Sequence, residues 1–435
     1  MIIQTKEQLK YFLDEIKDSS FFIEAIPSNW NDPIQVVDLI VLYIYVLSVK
    51  KSFILVFNHS EKFHDIYDTS IISKLNNDER KYTFNKKNIL HFFKLNNLCD
   101  LTAYSYLNYT LKELNFDKSY IYTYFKNDNY FVPLLKHKEY YDNNIKKNYS
   151  KIFKKENINA DSYYIYNNII DDVVELEKNP IKVEDIDKYF PKKNIKVFDN
   201  KIYSNYNLYT TTQRPTNSHN GLNLLALNKT NGEREAIISN LDYLLEFDFN
   251  SFHFRLITDK VLNIDLSSED DLYAYFSKDF SINEEREEVK KIVFQLLYSG
   301  YISEKYKKNK FFYLVDKLQD KLYDSYIENG FIETLLFKRK LKVQGTINKG
   351  KLFNYYIQSL ETENNLLIIN KLNDLLKDYK TKLILYVYDA FLFDFAKKEK
   401  ELINKIKSIL KYKVHTKIGK NYNELNEILM LKETT

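Results

Sequence analysis

The chain has 435 residues, 44% of them hydrophobic, which is enough for two or three domains that each bury a core. Its 64 basic and 60 acidic residues leave a net charge of +4, so any nucleic-acid groove must come from local clustering of charge. The single cysteine, Cys99, excludes a disulfide framework and a cysteine-based zinc site, and it indicates a reducing compartment.

The N-terminal segment has no basic stretch followed by an apolar run and a cleavage site, so we predict no signal or transit peptide and a cytoplasmic location. The most apolar run, residues 36–49, contains Asp38 and is shorter than the roughly 20 residues that a membrane-spanning helix needs. We therefore predict that this run belongs to a buried core and that the protein has no membrane partner.

Apolar, aromatic-rich runs alternate with polar stretches over residues 1–165, which predicts a mixed α/β unit. The segment 126–160 shows no regular period and is typical of loops and surface helices. Helical spacing returns over 169–178, and Asn179 and Pro180 predict the end of that helix near a domain boundary. Four later elements are predicted: a strand ending in Asp248, a helix from about Glu284 to Leu297, a helix from about Asn354 to Leu372, and a hairpin over Leu383–Phe395.

Two apolar runs each present one carboxylate, at Asp248 and at Asp389. In the second run, two β-rich halves meet at Tyr388 and Asp389, which predicts a hairpin with a carboxylate at its turn. Two such aspartates brought together can hold a pair of Mg²⁺ ions for phosphoryl transfer. Taken singly, each aspartate could equally be an ordinary turn residue at the end of a strand, with no role in metal binding.

The helix predicted between these runs carries Arg286, Lys290, Phe294 and Tyr298 at four-residue intervals, along one slowly drifting face. Two cations followed by two aromatic rings can bind a triphosphate and stack a base or a template. The same pattern is also typical of an amphipathic helix with a basic edge and core aromatics.

Five strings of the sequence resemble the motifs of family A DNA polymerases. They follow the family's order, at 211–216 for the Thr-Gly-Arg primer-template segment, 248–255 for motif A, 286–300 for motif B, 354–359 for the Asn…Gln helix and 387–390 for motif C. The resemblance implies an α/β (α+β) fold with a right-hand polymerase palm, fingers and a reduced thumb. It also implies an N-terminal exonuclease-like (RNase H-like) α/β domain.

The resemblance divides the chain into a degenerate 3′-5′ exonuclease-like domain at 1–165, a connecting helix and vestigial thumb at 166–204, and palm and fingers at 205–435. The implied activity is template-directed addition of deoxynucleotides to a primer 3′ end by two-metal phosphoryl transfer. The implied partners are primer-template DNA and dNTPs.

The resemblance also implies roles for individual residues. The two Mg²⁺ ions, for which Mn²⁺ can substitute, are held by Asp248, Asp389 and the backbone carbonyl of Phe249. The incoming nucleotide is contacted by Arg286, Lys290, Phe294, Tyr298 and His253. Primer and template are contacted by Arg214, Arg255, Asn354 and Gln358.

The chain departs from the family's motifs at several positions. His253 stands where motif A has a Glu that packs against the C2′ atom of the nucleotide and excludes a ribose hydroxyl. Tyr388 and Ala390 stand where motif C has His and Glu, and Ser299 precedes the motif B glycine, Gly300. Neither metal-binding aspartate is lost. Because the His253 ring still fills the site beside Tyr298 but can hydrogen-bond a 2′ hydroxyl, we predict that dNTPs are preferred by a smaller margin than in relatives with Glu.

The strand predicted at 21–26 lies where the family's exonuclease has an Asp-any-Glu pair, and that pair is missing. Asp100 resembles a later exonuclease segment, but one carboxylate cannot assemble two metals. We therefore predict an inactive exonuclease and synthesis without proofreading. Because most of a thumb is also missing, a processivity or replisome protein is predicted to replace it.

Two alternatives stay open. A phage-type single-subunit RNA polymerase also has an Arg…Lys…Tyr helix and two palm aspartates, although the segment 354–358 favours the DNA enzyme. A catalytically inactive, polymerase-like DNA-binding replication accessory is the other alternative, and the presence of Asp248, Asp389 and Lys290 argues against it. The resemblance predicts a viral or phage-like enzyme in the cytoplasm of a bacterial or virus-infected host cell.

Overall fold

A computed structural model of the protein describes residues 1–61, 70–108, 129–153, 160–266, 269, 271–280, 285–343 and 345–428. The chain forms two compact units. The first unit is Met1–Lys178 with Ile195–Asp199 and His219–Leu222, and the second is Asn179–Asn194, Asn200–Ser218 and Asn223–Thr435. This division differs from the one predicted at 165 and 204, because the helix Ala160–Glu177 lies wholly within the first unit. Which unit serves as exonuclease-like domain, thumb, palm or fingers stays a prediction.

The first unit is built on a five-stranded mixed sheet. Its strands are β1 (Phe21–Pro27), β2 (Leu39–Val46), β3 (Lys51–Val56), β4 (Lys81–Thr83) and β5 (Leu98–Asp100). Their spatial order is β3-β2-β1-β4-β5, in which β1, β2 and β3 pair antiparallel and β1, β4 and β5 pair parallel.

Both faces of this sheet are covered. Every residue of β1 is buried, and its side chains alternate between two cores, with Phe21 and Ile23 in one and Phe22 and Ile26 in the other. A sheet covered on both faces contains nearly continuous apolar strands. The predicted core run 36–49 contains such a strand, β2, so the prediction of a buried core is confirmed. In the described part of the chain, no helix is long and apolar enough to cross a membrane.

Helices complete the first unit, and its predicted mixed α/β character is confirmed. They are α1 (Lys6–Ile16), α2 (Ser70–Leu75), α3 (Lys86–Phe92), α4 (Leu101–Leu107), α5 (Leu134–Phe153) and α6 (Ala160–Glu177), with 3-10 turns at Ile34–Val36 and Asn129–Phe131. The segment 126–160 contains a surface helix, α5, as predicted, but the absence of a regular period is wrong, because one face of α5 buries Leu134, Tyr141 and Ile145 in the sheet core. These residues recur at helical spacing between polar Lys and Asn residues, which obscured the period.

The main sheet of the second unit is antiparallel. The remaining strands of the chain are β6 (Ile181–Lys182), β7 (Lys201–Ile202), β8 (Tyr206–Asn207), β9 (Thr216–His219), β10 (Leu222–Asn223), β11 (Tyr243–Phe249), β12 (Ile332–Glu333), β13 (Lys340–Leu341), β14 (Lys382–Val387), β15 (Ala390–Phe395), β16 (Val414–Gly419) and β17 (Asn426–Glu427). The main sheet has the order β14-β15-β11-β16-β17, which makes β11 its central strand. The predicted strand at Asp248 and the predicted hairpin are thereby confirmed.

Helices of the second unit surround an aromatic core. They are α7 (Ile186–Tyr189), α8 (Phe252–Leu256), α9 (Leu272–Phe280), α10 (Arg286–Tyr298), α11 (Lys310–Asn329), α12 (Lys349–Leu376) and α13 (Leu402–Leu410), with a π-helical segment at Ile257–Leu262 and 3-10 turns at Glu233–Ala236, Tyr306–Lys308 and Lys397–Glu399. Phe254, Phe276, Phe311 and Phe353 of this core come from α8, α9, α11 and α12. The two helices predicted after residue 280 are confirmed as α10 and α12, and α12 extends beyond both predicted ends.

Candidate active site

The two candidate metal ligands lie at neighbouring strand ends of the main sheet. Asp248 is near the end of β11 and pairs in register with Ala390, the first residue of β15. Asp389 precedes Ala390 in the β14–β15 turn, and its carbonyl oxygen accepts a hydrogen bond from the Phe249 N–H at 2.9 Å. Tyr388 has φ +50°, a left-handed conformation that makes this turn tight. The structure therefore brings Asp248, Asp389 and the end of β11 together, as predicted from the sequence.

The charge of Asp389 is unfavourable without a cation nearby. The residue is exposed at the turn, yet its carboxyl group is partly desolvated, and this desolvation together with the charges of Asp248 and Glu361 raises the pKa of Asp389 to about 6. Among the described residues, no cluster of three or more His, Cys, Asp or Glu could hold a metal by itself. Two carboxylates fit Mg²⁺, which proteins bind through one or two carboxylates together with substrate phosphates and water.

Lys417 lies beside Asp248. It stands directly opposite Glu246 in the β11–β16 pair, and Glu246 and Asp248 share one face of β11. The Lys417 ammonium group donates to Glu246 Oε1 at 2.9 Å and to Asp248 Oδ2 at 3.1 Å. Although burial opposes the charge, these carboxylates raise the pKa of Lys417. Sequence reasoning missed Lys417, because a lysine in a short strand carries no local signal of its partners.

His253, in α8, contacts three other segments of the second unit. Its Nδ1 atom is hydrogen-bonded to the Tyr298 hydroxyl, and its Nε2 atom lies 2.5 Å from Glu361 Oε2. The same carboxylate oxygen accepts a hydrogen bond from Arg214 at 2.5 Å. Burial of Glu361 would raise its pKa, but His253 and Arg214 hold the pKa below its usual value. His253, a predicted nucleotide contact, and Arg214, a predicted primer contact, thus share the buried carboxylate of Glu361.

The two cations of α10 are half-exposed. Arg286 Nε donates to Asp271 Oδ2 at 2.8 Å, and Lys290 Nζ lies 3.8 Å from Glu287. Exposed ion pairs of this kind stabilise a fold by only about 0–1 kcal/mol, so a phosphate group could displace these partners. The cations are therefore available to an anionic ligand.

The two aromatic rings of α10 are packed more deeply. Phe294 and Tyr298 stack with ring centroids 6.0 Å apart, and Phe294 also meets the buried Phe254 at 5.7 Å. Burial and the nearby charge of Glu361 raise the pKa of Tyr298. The predicted face of α10 therefore exists, with cations towards solvent at its start and stacked rings at its end.

One side of α12 carries a row of polar residues. Asn354, Gln358, Glu361 and Asn365 recur at spacings of four, three and four, which places them on one helix face. Gln358 donates to Asn354 Oδ1 at 3.0 Å, and Asn365 donates to the Tyr388 carbonyl at 2.7 Å. Sequence reasoning identified only the first two residues. Continuing the same spacing would have found Glu361 and Asn365.

Arg255 lies in different surroundings from the other predicted site residues. It is buried, and its guanidinium donates to the carbonyl oxygens of Asn250 and Glu269, each at 3.0 Å. It lines a cavity of about 360 Å³ with Asp259 and Lys411, and no other predicted site residue lines that cavity. These main-chain contacts indicate a structural role for Arg255, and its contact with primer and template stays a prediction.

Two glycines allow the end of α10 to approach the start of α12. Gly300 has φ +76°, a conformation that favours glycine, and a Cβ atom added to it would collide with the main chain of Gly350. A Cβ atom on Gly350 would lie 2.7 Å from the Gly300 nitrogen and would collide with the Tyr298 carbonyl. This close approach fixes Tyr298 beside α12.

These elements together have the fold of a family A DNA polymerase domain. The chain is similar to the solved structure of the POL domain of Pol1 from M. smegmatis in complex with DNA primer-template and dNTP. The match has a TM-score of 0.69 and covers 97% of this chain and 99% of that chain, with 13% sequence identity. No protein-family model and no curated protein matches the sequence. The predicted α/β polymerase fold is thus confirmed.

Proposed function

We propose that the chain is a DNA-directed DNA polymerase that adds deoxynucleotides to a primer 3′ end without proofreading. The observation that carries this proposal is the position of Asp248 and Asp389 at adjacent strand ends in a chain with a polymerase fold. The two aspartates, with the Phe249 carbonyl, would hold two Mg²⁺ ions, or Mn²⁺ in their place. When bound, such ions activate the 3′ hydroxyl and neutralise the leaving pyrophosphate.

The fingers helix α10 would bind the incoming nucleotide. Arg286 and Lys290 are half-exposed cations on one face and would contact the triphosphate. Phe294 and Tyr298, one and two turns further along, would flank the nascent base pair. Along α10, the residues that would contact the phosphates therefore come first and those that would contact the base come last. A nucleotide lying along the helix would meet them in that order.

Primer and template would contact the face of α12 and the loop that carries Arg214. Asn354 and Gln358 are half-buried and hydrogen-bonded to each other, which fixes their amides for contacts with base or sugar edges. Arg214 lies close to the metal-binding pair, since its guanidinium is 5.0 Å from the ring of Tyr388 in the β14–β15 turn. These contacts would place the primer end beside the aspartates.

A primer-extension assay with separate dNTP and rNTP pools tests this function. We expect template-dependent products with dNTPs and Mg²⁺. Extension with rNTPs at equal or better efficiency would instead identify an RNA polymerase. Binding of primer-template without any extension, in either pool and with either metal, would identify an inactive accessory protein.

The absence of proofreading is supported by the surroundings of Glu24 and Asp100 in the first unit. Both side chains are buried. Glu24 accepts a hydrogen bond from the N–H group of Phe84, and Asp100 accepts hydrogen bonds from the N–H groups of Lys86 and Ala103. Burial raises the pKa of Glu24 to about 8 and that of Asp100 to about 6, so the charged form that binds a metal is disfavoured at both residues. An end-labelled single strand incubated with Mg²⁺ or Mn²⁺ should stay intact. Shortening that persists in an Asp248→Asn variant would reveal a nuclease in the first unit.

A reduced thumb is supported by the segment 179–242. In that segment α7 has four residues and the strands β6 to β10 have two to four, so it holds no long helix that could follow a duplex. We therefore infer that a processivity or replisome protein supplies a clamp, or that the natural products are short. The cytoplasmic location and the viral or phage-like origin stay predictions.

A further inference from the structure

We propose that Glu361 is a positioning residue that sets the choice between deoxynucleotides and ribonucleotides. Its carboxylate would hold His253 and Arg214 in one arrangement beside the reacting nucleotide. This inference rests on the proposed polymerase function and names a determinant of its substrate specificity. It assigns a role to a residue outside the motif strings from which the family resemblance was drawn.

The contacts of Glu361 converge from separate parts of the second unit. One oxygen, Oε2, receives Arg214 from the loop before β9 and lies 2.5 Å from His253 of α8. The other ring nitrogen of His253 is hydrogen-bonded to Tyr298 at the end of α10. A single carboxylate on α12 therefore sets the position of a loop, a palm helix and the end of the fingers helix.

Stability does not explain this arrangement. Glu361 is completely buried, and its second oxygen, Oε1, has no hydrogen-bond partner among the described residues. A buried ion pair is often no more stabilising than apolar side chains of similar volume, because desolvation of the charges offsets their attraction. What the buried charge does provide is a defined orientation for the two side chains that it binds.

The orientation of His253 matters because the ring lies beside the metal-binding pair. Its Nε2 atom lies 3.4 Å from the guanidinium of Arg214, which in turn lies 5.0 Å from the ring of Tyr388, the residue before Asp389. With both nitrogens engaged, the ring cannot turn aside or offer a nitrogen to a ligand. A fixed ring at the sugar excludes a 2′ hydroxyl by its volume, whereas a free ring could move and hydrogen-bond that hydroxyl. Loss of Glu361 would release Nε2 of His253, so that the ring could move and hydrogen-bond the 2′ hydroxyl of a ribonucleotide.

Glu361→Gln tests this role, and Glu363→Gln is its matched control. Glu363 lies two residues further along α12 and is equally buried, but it accepts hydrogen bonds from the main-chain N–H groups of Leu336 and Phe337. The measurement is the ratio of kcat/KM for dNTP to that for rNTP on one primer-template, with thermal melting for each variant. We expect Glu361→Gln to lower the ratio by about tenfold, and Glu363→Gln to change melting without changing the ratio.

Two further variants keep the inference testable if Glu361→Gln does not fold. Glu361→Asp retains the charge but is one methylene shorter, so we expect an intermediate ratio. His253→Ala should lower the ratio on its own, and adding Glu361→Gln to it should change nothing more, because coupled residues are not additive.

The outcomes separate the two proposals. A parent protein that extends primers while folded Glu361 variants keep its sugar preference would overturn the role of Glu361 alone. Additive effects of His253→Ala and Glu361→Gln would also overturn it, since Glu361 would then act by another route. A folded parent protein that adds neither nucleotide would refute the polymerase function, and the role of Glu361 with it.

Discussion

At the scale of single residues, the two candidate metal ligands differ in their electrostatic surroundings. Asp248 shares the ammonium group of Lys417 with Glu246, whereas Asp389 faces Asp248 and Glu361 and has a raised pKa. Asp248 is thus neutralised in part by the protein itself, and Asp389 depends more on an added cation. A divalent cation would relieve the repulsion between the two aspartates.

Replacement of either ligand should abolish synthesis and leave the fold intact. We expect Asp248→Asn and Asp389→Asn each to lower the extension rate by about a thousandfold or more, because each removes a charge at the reacting phosphate. Primer-template binding should stay near that of the parent, and both variants should remain folded. Asp242→Asn is the control, since Asp242 precedes the same strand and accepts from the Lys397 N–H. Substantial synthesis by either active-site variant would contradict the two-metal assignment.

The raised pKa of Asp389 predicts a pH effect on stability in metal-free buffer. A carboxyl group whose pKa is raised on folding stabilises the fold below about pH 4, the pKa of an unfolded Asp. That contribution is lost as the pH rises through about 6, the pKa of Asp389 in the folded protein. Asp389→Asn should therefore melt higher than the parent at pH 8, but not at pH 4. Equal melting at both pH values would show that the charge of Asp389 is not destabilising.

At the scale of elements, α10 and α12 determine the geometry of the site. The exposed start of α10 offers its cations to a ligand, while its end is held against α12 by Gly300 and Gly350. The same helix therefore presents an exposed charged end and a packed aromatic end. Two predictions test these two ends separately.

Lys290→Ala should weaken nucleotide use more than DNA binding. A charge-assisted hydrogen bond to phosphate contributes roughly 1.5–3 kcal/mol, so KM for the nucleotide should rise between about tenfold and a hundredfold. Lys291→Ala is the matched control, because Lys291 follows directly on the helix but points away and pairs with Glu288 at 2.5 Å. Equal effects of the two variants would indicate that only the net charge of α10 matters.

Gly350→Ala should destabilise the contact between α10 and α12. The added Cβ atom would collide with the Tyr298 carbonyl, and forced repacking of this kind costs about 1–3 kcal/mol. Gly330→Ala, where the new atom meets nothing within 4 Å but φ is +71°, should cost less and leave catalysis unchanged. Thermal melting and nucleotide KM distinguish the two. Full stability of Gly350→Ala would show that the helices can separate without consequence.

At the scale of the whole molecule, the limited structure of segment 179–242 predicts low processivity for the isolated chain. We expect few nucleotides added per encounter when a DNA trap prevents rebinding. Affinity for primer-template should fall steeply with salt, because phosphate contacts then dominate binding. Addition of the natural partner should lengthen the products. Long products from the isolated chain in the presence of the trap would contradict the inference of a reduced thumb.

Sequence alone identified the candidate site residues and predicted the elements that present them. The four-residue spacing of α10, the strand that ends near Asp248 and the hairpin with Asp389 at its turn follow from local periodicity and turn chemistry. The resemblance of the strings that contain them, in order, to the motifs of family A DNA polymerases predicted the polymerase fold. The polar face of α12 is also present in the sequence, since Glu361 and Asn365 continue the helical spacing of Asn354 and Gln358.

Only the tertiary structure decided which side chains share a partner. Lys417 contacts Asp248 across a strand pair, and Arg214 contacts Glu361 from a distant segment of the chain. No local sequence pattern therefore predicts either contact. Arg255 illustrates the converse, since a residue within a motif string turned out to bind its own main chain. The physical reason is that periodicity determines which face a side chain occupies, whereas its partner depends on what packs against that face.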